Sequence, residues 1–178
     1  MTLTEHTLFQ IPYYKIKIED WKNKKQRLLS VLKLYPEKKI DMQQFYTNRQ
    51  SKKDGLLNSF INIMNNELQL FVQIIKKDVV LEDVWSVSYK KGDEHLVHNH
   101  GTLGFTGILY LEFDKENPHT FYVQPWNSHF DDRTIHNYVN VDEGDIIIIP
   151  KFVQHFSQCN NSKKIKRIIS WDMKILNA

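Results

Sequence analysis

Beyond Asp78 the chain breaks into short β-rich runs at 80–90, 105–113, 120–124, 134–141, 145–149, 152–158 and 165–175. Between them sit turn-forming segments: Lys91-Gly92-Asp93, Asp114 to Pro118, Pro125-Trp126-Asn127, Asp142-Glu143-Gly144 and Asn160-Asn161-Ser162. Many short strands at that spacing, with no helical stretch between them, predict a β-sandwich or barrel and argue against alternating βα units. Residues 146–149 are four consecutive isoleucines. A strand apolar at every position must be covered on both faces.

The front half has a different texture. Residues 11–18 alternate and carry β-branched and aromatic side chains, which predicts a first strand. From Glu19 to Tyr35 the apolar positions take helical spacing until Pro36 stops them. Residues 37–54 are polar and read as loop. A second helix is expected over Gly55 to Lys77, with Leu56, Phe60, Ile63, Met64, Leu68 and Phe71 on one face and Asp54 or Gly55 as its cap. That stripe is core packing, and the two helices are the obvious cover for the outside of one sheet. The 178 residues suit one domain, with 1–78 as N-terminal strand and helical support and 79–178 as the β core. No internal repeat is present.

Composition removes several classes of function. Lys and Arg outnumber Asp and Glu by 24 to 21, a net charge of only +3, too even for the concentrated basic surface that nucleic acid needs. No apolar run approaches the ~20 residues that span a bilayer, and the first residues lack the layout of a signal peptide. Cys159 is the only cysteine, so an internal disulfide or a Cys-rich zinc site is excluded and a reducing, cytoplasmic setting is expected. Any metal must be held by histidine and carboxylate. Eight histidines are available.

Three of them fall into a pattern. In a strand, residues i and i+2 face the same way, so His98 and His100 in His98-Asn99-His100-Gly101 can point together into a barrel. Much later, Gly144 launches the isoleucine strand, Pro150 ends it, and His155 opens the next. In a jelly roll that gap returns His155 beside the first pair. Three neutral imidazoles with open positions suit Fe(II), Zn, Ni or Cu. His95 is out of step with the pair. His6, His119 and His136 read as unassigned, and His129-Phe130-Asp131 looks like a metal pair but lies in a polar loop.

Two known families share these marks. Gly92-x5-His98-x-His100 and Gly144-x5-Pro150-x4-His155 resemble the two cupin motifs, yet Gly104 and Phe105 stand where cupins expect a Glu. The closer resemblance is to the small Fe(II)/2-oxoglutarate-dependent oxygenases of bacteria and phages. It is carried by Trp85 to Gly92 leading to the H-x-H pair, by Gly107-Ile-Leu-Tyr110-Leu111, by Glu143-Gly144 through Pro150 to His155, and by the closing segment Lys166-Arg167-Ile-Ile-Ser170-Trp-Asp172. The resemblance implies a double-stranded β-helix (jelly roll, cupin-like) with N-terminal helices packed on one sheet. It also implies an oxidoreductase that couples oxidative decarboxylation of 2-oxoglutarate to oxidation, by hydroxylation, of a small-molecule or peptide substrate. His98, His100 and His155 would hold Fe(II). Arg167 and Tyr110 would anchor the far carboxylate of 2-oxoglutarate, and Tyr89 would line the metal end.

His100 stands where these oxygenases usually have Asp or Glu. Either three histidines ligate, or His100 stays unbound and Glu94 or water takes the third position. The same histidines would also serve a cupin-type three-His metalloenzyme, such as a thiol dioxygenase, that does not use 2-oxoglutarate, or a non-catalytic jelly-roll binding module. Trp126 and the loop from His129 to Arg133 are candidates for part of a substrate lid. No motif indicates the primary substrate or an oligomeric state.

Overall fold

The computed structural model describes residues 4, 9–39, 45–49 and 54–176; His6 lies outside them. The elements are β1 (Tyr14–Lys17), α1 (Trp21–Leu32), β2 (Lys38–Lys39), β3 (Tyr46–Thr47), α2 (Asp54–Ile75), β4 (Val79–Tyr89), β5 (His95–His98), β6 (Phe105–Glu112), β7 (Thr120–Val123), β8 (His136–Tyr138), β9 (Asp145–Pro150), β10 (His155–Ser157) and β11 (Lys166–Ile175). A large sheet runs in the order β1-β9-β6-β11-β4-β3-β2, and a small one in the order β5-β10-β7-β8. Every pairing is antiparallel. The eight strands from β4 onward divide between the two sheets as a jelly roll, mainly β with two helices. No helix among the described residues is long and apolar enough to cross a membrane.

Strand alternation divides the core in two. Ile146 and Ile148 of β9 turn outward and pack with Leu109, Ile169 and Trp171 against Phe60, Met64 and Phe71 of α2. Ile147 and Ile149 turn inward and meet Tyr110, Ile108 and Ile168 in the space between the sheets. The four isoleucines are thus covered on both faces, α2 supplying one cover and the barrel interior the other. Gly107 is required opposite Trp171, its register partner on the neighbouring strand β11: a Cβ there would lie 2.1 Å from the indole.

The polar stretch 37–54, expected as loop, contributes β2 and β3. Thr47 pairs with Val87, and its hydroxyl donates to the carbonyl of Ser86 at 2.8 Å. The open edge of β4 recruits these residues, and strands of two residues are too short to show periodicity. The strand expected over 134–141 shrinks to three residues, and β10 starts at His155 because 151–153 form a turn closed by the Val153 N–H on the Pro150 carbonyl.

Candidate metal centre

β5 ends at His98 and β10 begins at His155, and the two residues are register partners across the small sheet. His100 lies beyond the end of β5, so the pair does not share one strand as the i, i+2 argument supposed. It is held instead by its backbone N–H on the Lys151 carbonyl at 3.0 Å, just before Gly101 turns the chain at φ +105°. The three imidazoles still converge: each offers a ring nitrogen, all within 4.8 Å of one another. Glu94 is not in this group.

Hydrogen bonding decides which nitrogen each ring offers. Nδ1 of His98 contacts the Leu96 carbonyl at 2.8 Å, Nδ1 of His155 the Val153 carbonyl at 3.1 Å, and Nδ1 of His100 the Asp172 carboxylate at 2.7 Å. Carbonyl and carboxylate oxygens only accept, so each Nδ1 carries a proton, and the neutral form of each ring has its lone pair on Nε2. Nε2 of His100 is buried without a partner. Burial, and then the charges of His98 and His100, push His155 down to about 3. Burial likewise lowers His98. An unprotonated, inward-facing nitrogen set with one orphaned atom is what a divalent cation requires, so the residues fit a metal ion.

His95 is closer to the centre than its spacing suggested. The register between β5 and β10 shifts, with His155 opposite His98 but Ser157 opposite His95. That irregularity turns the His95 ring inward, stacked on His98 with centroids 3.9 Å apart. Its Nδ1 lies 3.1 Å from the Tyr89 hydroxyl. Burial, then the neighbouring histidines and Lys166, drive its pKa to about 2. A bulge leaves no mark in sequence spacing, which is why His95 reads there as out of step with the pair.

The expectation for Arg167 is corrected. Its guanidinium lies on the outer face of the large sheet, where Nη1 donates to Glu112 at 2.6 Å and Nε to the Ser88 hydroxyl at 2.8 Å. The pairing of β6 with β11 shifts at this point, bringing Glu112 opposite Arg167 and Tyr110 opposite Ile168, so both charged groups share that face. The cation inside the barrel is its neighbour Lys166, which is fully buried. The ammonium donates to the Pro118 carbonyl and the Ser157 hydroxyl, each at 2.9 Å, with the rings of Tyr89 and Tyr110 at 5.2 and 6.0 Å. No ion pair to it is present among the described residues. Burial lowers its pKa to about 7.

Tyr110 and Tyr89 both point inward and are buried. The space running from the three histidines past Tyr89, Thr120 and Ile168 to Ser157 holds only about 30 Å³ with the His95 ring where it stands. On the other side of Tyr122, the register partner of His155, Trp126 borders a cleft of about 340 Å³ with Tyr13, Tyr138 and Val153. The His129 ring lies against Phe130, and Asp131 pairs with Arg133, so His129 and Asp131 form no metal pair.

Sequence reasoning also missed Asp172. It shares the inward face of β11 with Lys166, Ile168 and Ser170. Its carboxylate meets His100 on one side and the Arg49 guanidinium, at 3.5 Å, on the other. Burial raises its pKa, but the hydrogen bond and charge of His100, with help from Lys151 and Thr106, outweigh that and hold it below the ordinary value. Trp85 closes the group, stacked on His100 at 5.5 Å with the Arg49 guanidinium over its ring at 4.0 Å.

No protein-family model matches the sequence. No curated protein matches it either. Solved structures do match the fold. A 2OG-Fe(II) oxygenase family oxidoreductase from Burkholderia pseudomallei superposes with a TM-score of 0.71 at 11% identity, covering 91% of this chain and 84% of its own. HygX from Streptomyces hygroscopicus, solved with nickel and 2-oxoglutarate bound, gives 0.69 at 10% identity over 92% and 83%. AviO1 from Streptomyces viridochromogenes gives 0.68 at 13% identity over 94% and 91%. At such identities the likeness is one of fold.

Proposed function

We propose that this chain is an Fe(II)- and 2-oxoglutarate-dependent oxygenase that hydroxylates a small organic substrate. The observation that carries the reading is a pair of unsatisfied groups in one barrel: three convergent imidazole nitrogens and a buried ammonium with no carboxylate partner among the described residues. An isolated buried charge is costly unless something pairs with it. A dicarboxylate that reaches from the metal to Lys166 would satisfy both. The family resemblance and the shared fold of 2-oxoglutarate-bound HygX support that choice of ligand.

In this reading His98, His100 and His155 hold the metal through Nε2. Bound there, Fe(II) supplies the oxygen chemistry that no side chain provides. Lys166, in place of Arg167, pairs with the distal carboxylate, while Tyr89 walls the chamber and the Tyr110 ring flanks the ammonium. The His95 ring must turn aside to admit a five-carbon diacid. None of the side chains lining the Trp126 cleft is charged, which suits an uncharged primary substrate held by aromatic contact. The single free thiol, Cys159, agrees with a reducing compartment, where iron stays ferrous.

Anaerobic titration of the protein with Fe(II) and then 2-oxoglutarate, followed by succinate release in air, tests the reading. Saturable 2-oxoglutarate binding that depends on Fe(II) is the expected result. Oxygen uptake driven by a thiol and indifferent to 2-oxoglutarate would overturn it in favour of a cupin-type enzyme.

A further inference from the structure

We infer that Asp172 supplies, through His100, the negative charge that a three-histidine set lacks, and so acts as a positioning residue for the metal. The inference rests on the metal-binding part of the proposed function and goes beyond its ligand list. His98, His100 and His155 together bring no charge to a divalent ion. The Asp172 carboxylate stands one hydrogen bond behind them, its Oδ1 2.7 Å from Nδ1 of His100. A carboxylate there fixes the tautomer, aims Nε2 at the ion and makes the imidazole a stronger donor.

Three further contacts hold this geometry. The His100 side chain is only 3% exposed and lies flat between the rings of Trp85 and His155, so it cannot swing away from either the carboxylate or the metal position. The Thr106 hydroxyl donates to the Trp171 carbonyl at 3.1 Å and stands 3.4 Å from Nδ1 of His100, closing that side of the ring. Arg49 contacts the other carboxylate oxygen at 3.5 Å from a side chain that is 48% exposed. The longer, solvent-screened contact neutralises less of the charge than the buried one directs at His100. The negative charge thus stands behind His100 and not at the metal position itself.

Anaerobic Co(II) titration of the metal-free protein, read from the visible d–d bands, tests this. Asp172→Asn keeps the shape and removes the charge, and it should weaken Co(II) about 10- to 100-fold with an altered band. His100→Ala should weaken it at least as much. The double variant should bind no worse than His100→Ala alone, within about twofold, because the carboxylate acts only through that ring. Arg49→Gln frees the carboxylate from its competitor and should tighten Co(II) severalfold, a readout that holds even where Asp172→Asn does not fold. Asp172→Asn binding within about twofold of wild type, losses that multiply in the double variant, or weaker binding by Arg49→Gln each overturn the inference. If the wild type binds no Co(II), the metal centre and this inference both fall. Tight, Asp172-dependent Co(II) without 2-oxoglutarate binding overturns only the oxygenase.

Discussion

Lys166 and Arg167, adjacent on β11, point to opposite faces of the large sheet: the ammonium is sealed between Ser157 and Pro118, and the guanidinium is paired with Glu112 outside. The two substitutions should therefore separate cleanly. Lys166→Met should weaken 2-oxoglutarate by about 10- to 100-fold, the worth of a charge-assisted hydrogen bond, while Arg167→Gln stays within about threefold of wild type. Anaerobic titration of the Fe(II) protein measures both, and equal effects would put the anchor elsewhere. Lys166→Met should also raise the melting temperature of the ligand-free protein, since it removes a buried unpaired cation.

The same lysine sets a pH dependence. In the folded, ligand-free protein it titrates near 7, and only the protonated form pairs with a carboxylate. The affinity for 2-oxoglutarate should be level below that pH and fall up to tenfold per unit above it. Lys166→Arg should flatten the profile, because arginine stays charged. For stability the sign is opposite: between about 7 and the ordinary lysine value the unfolded chain binds more protons than the folded one, so the ligand-free protein should gain stability as pH rises through that window.

His155→Ala and His98→Ala should each abolish stoichiometric metal, measured by elemental analysis after anaerobic Fe(II) loading and gel filtration. Metal added to the wild type should raise its melting temperature in a concentration-dependent way, as any ligand of the folded state does. The His155→Ala protein should show no such rise.

The His95 ring stacks on His98 and lines the small space beside the metal nitrogens. His95→Ala should strengthen 2-oxoglutarate binding by a few-fold and speed its association, read by stopped-flow mixing. His95→Trp should block it while leaving Co(II) binding intact.

Gly107→Ala tests the packing beneath Trp171. The added methyl meets the indole at 2.1 Å, and overpacking of this kind costs about 1–3 kcal/mol. Denaturant unfolding of the metal-free protein should report that loss.

Much of the architecture was legible because it follows from alternation and punctuation. The isoleucine run required two covers, and Ile146–Ile149 received them from α2 and the barrel. The spacing of His98, His100 and His155 foretold their meeting, although the backbone achieves it by a turn after β5 and not by one continuous strand. The cation that β11 turns inward is Lys166, one residue from the arginine expected there. On β11 both faces are apolar, with Ile168 inside and Ile169 and Trp171 outside, so hydrophobicity could not fix the parity. Counting back in steps of two from Ser170 and Asp172 reaches Lys166. His95 was hidden by an irregular register, and Asp172 by its distance in sequence from the ring it supports.

Both helices pack on the large sheet, so one wall of the barrel is backed by a second layer and the other is not. Asp172 and Lys151 tether His100 to the thick wall, whereas His98 and His155 belong to the thin one. An ion seated among them would act as a rivet across the seam. Amide hydrogen exchange in β5 and β10 should slow when metal is added, with little change in β9 and β11. Whatever controls iron supply would then also control how far the thin wall breathes.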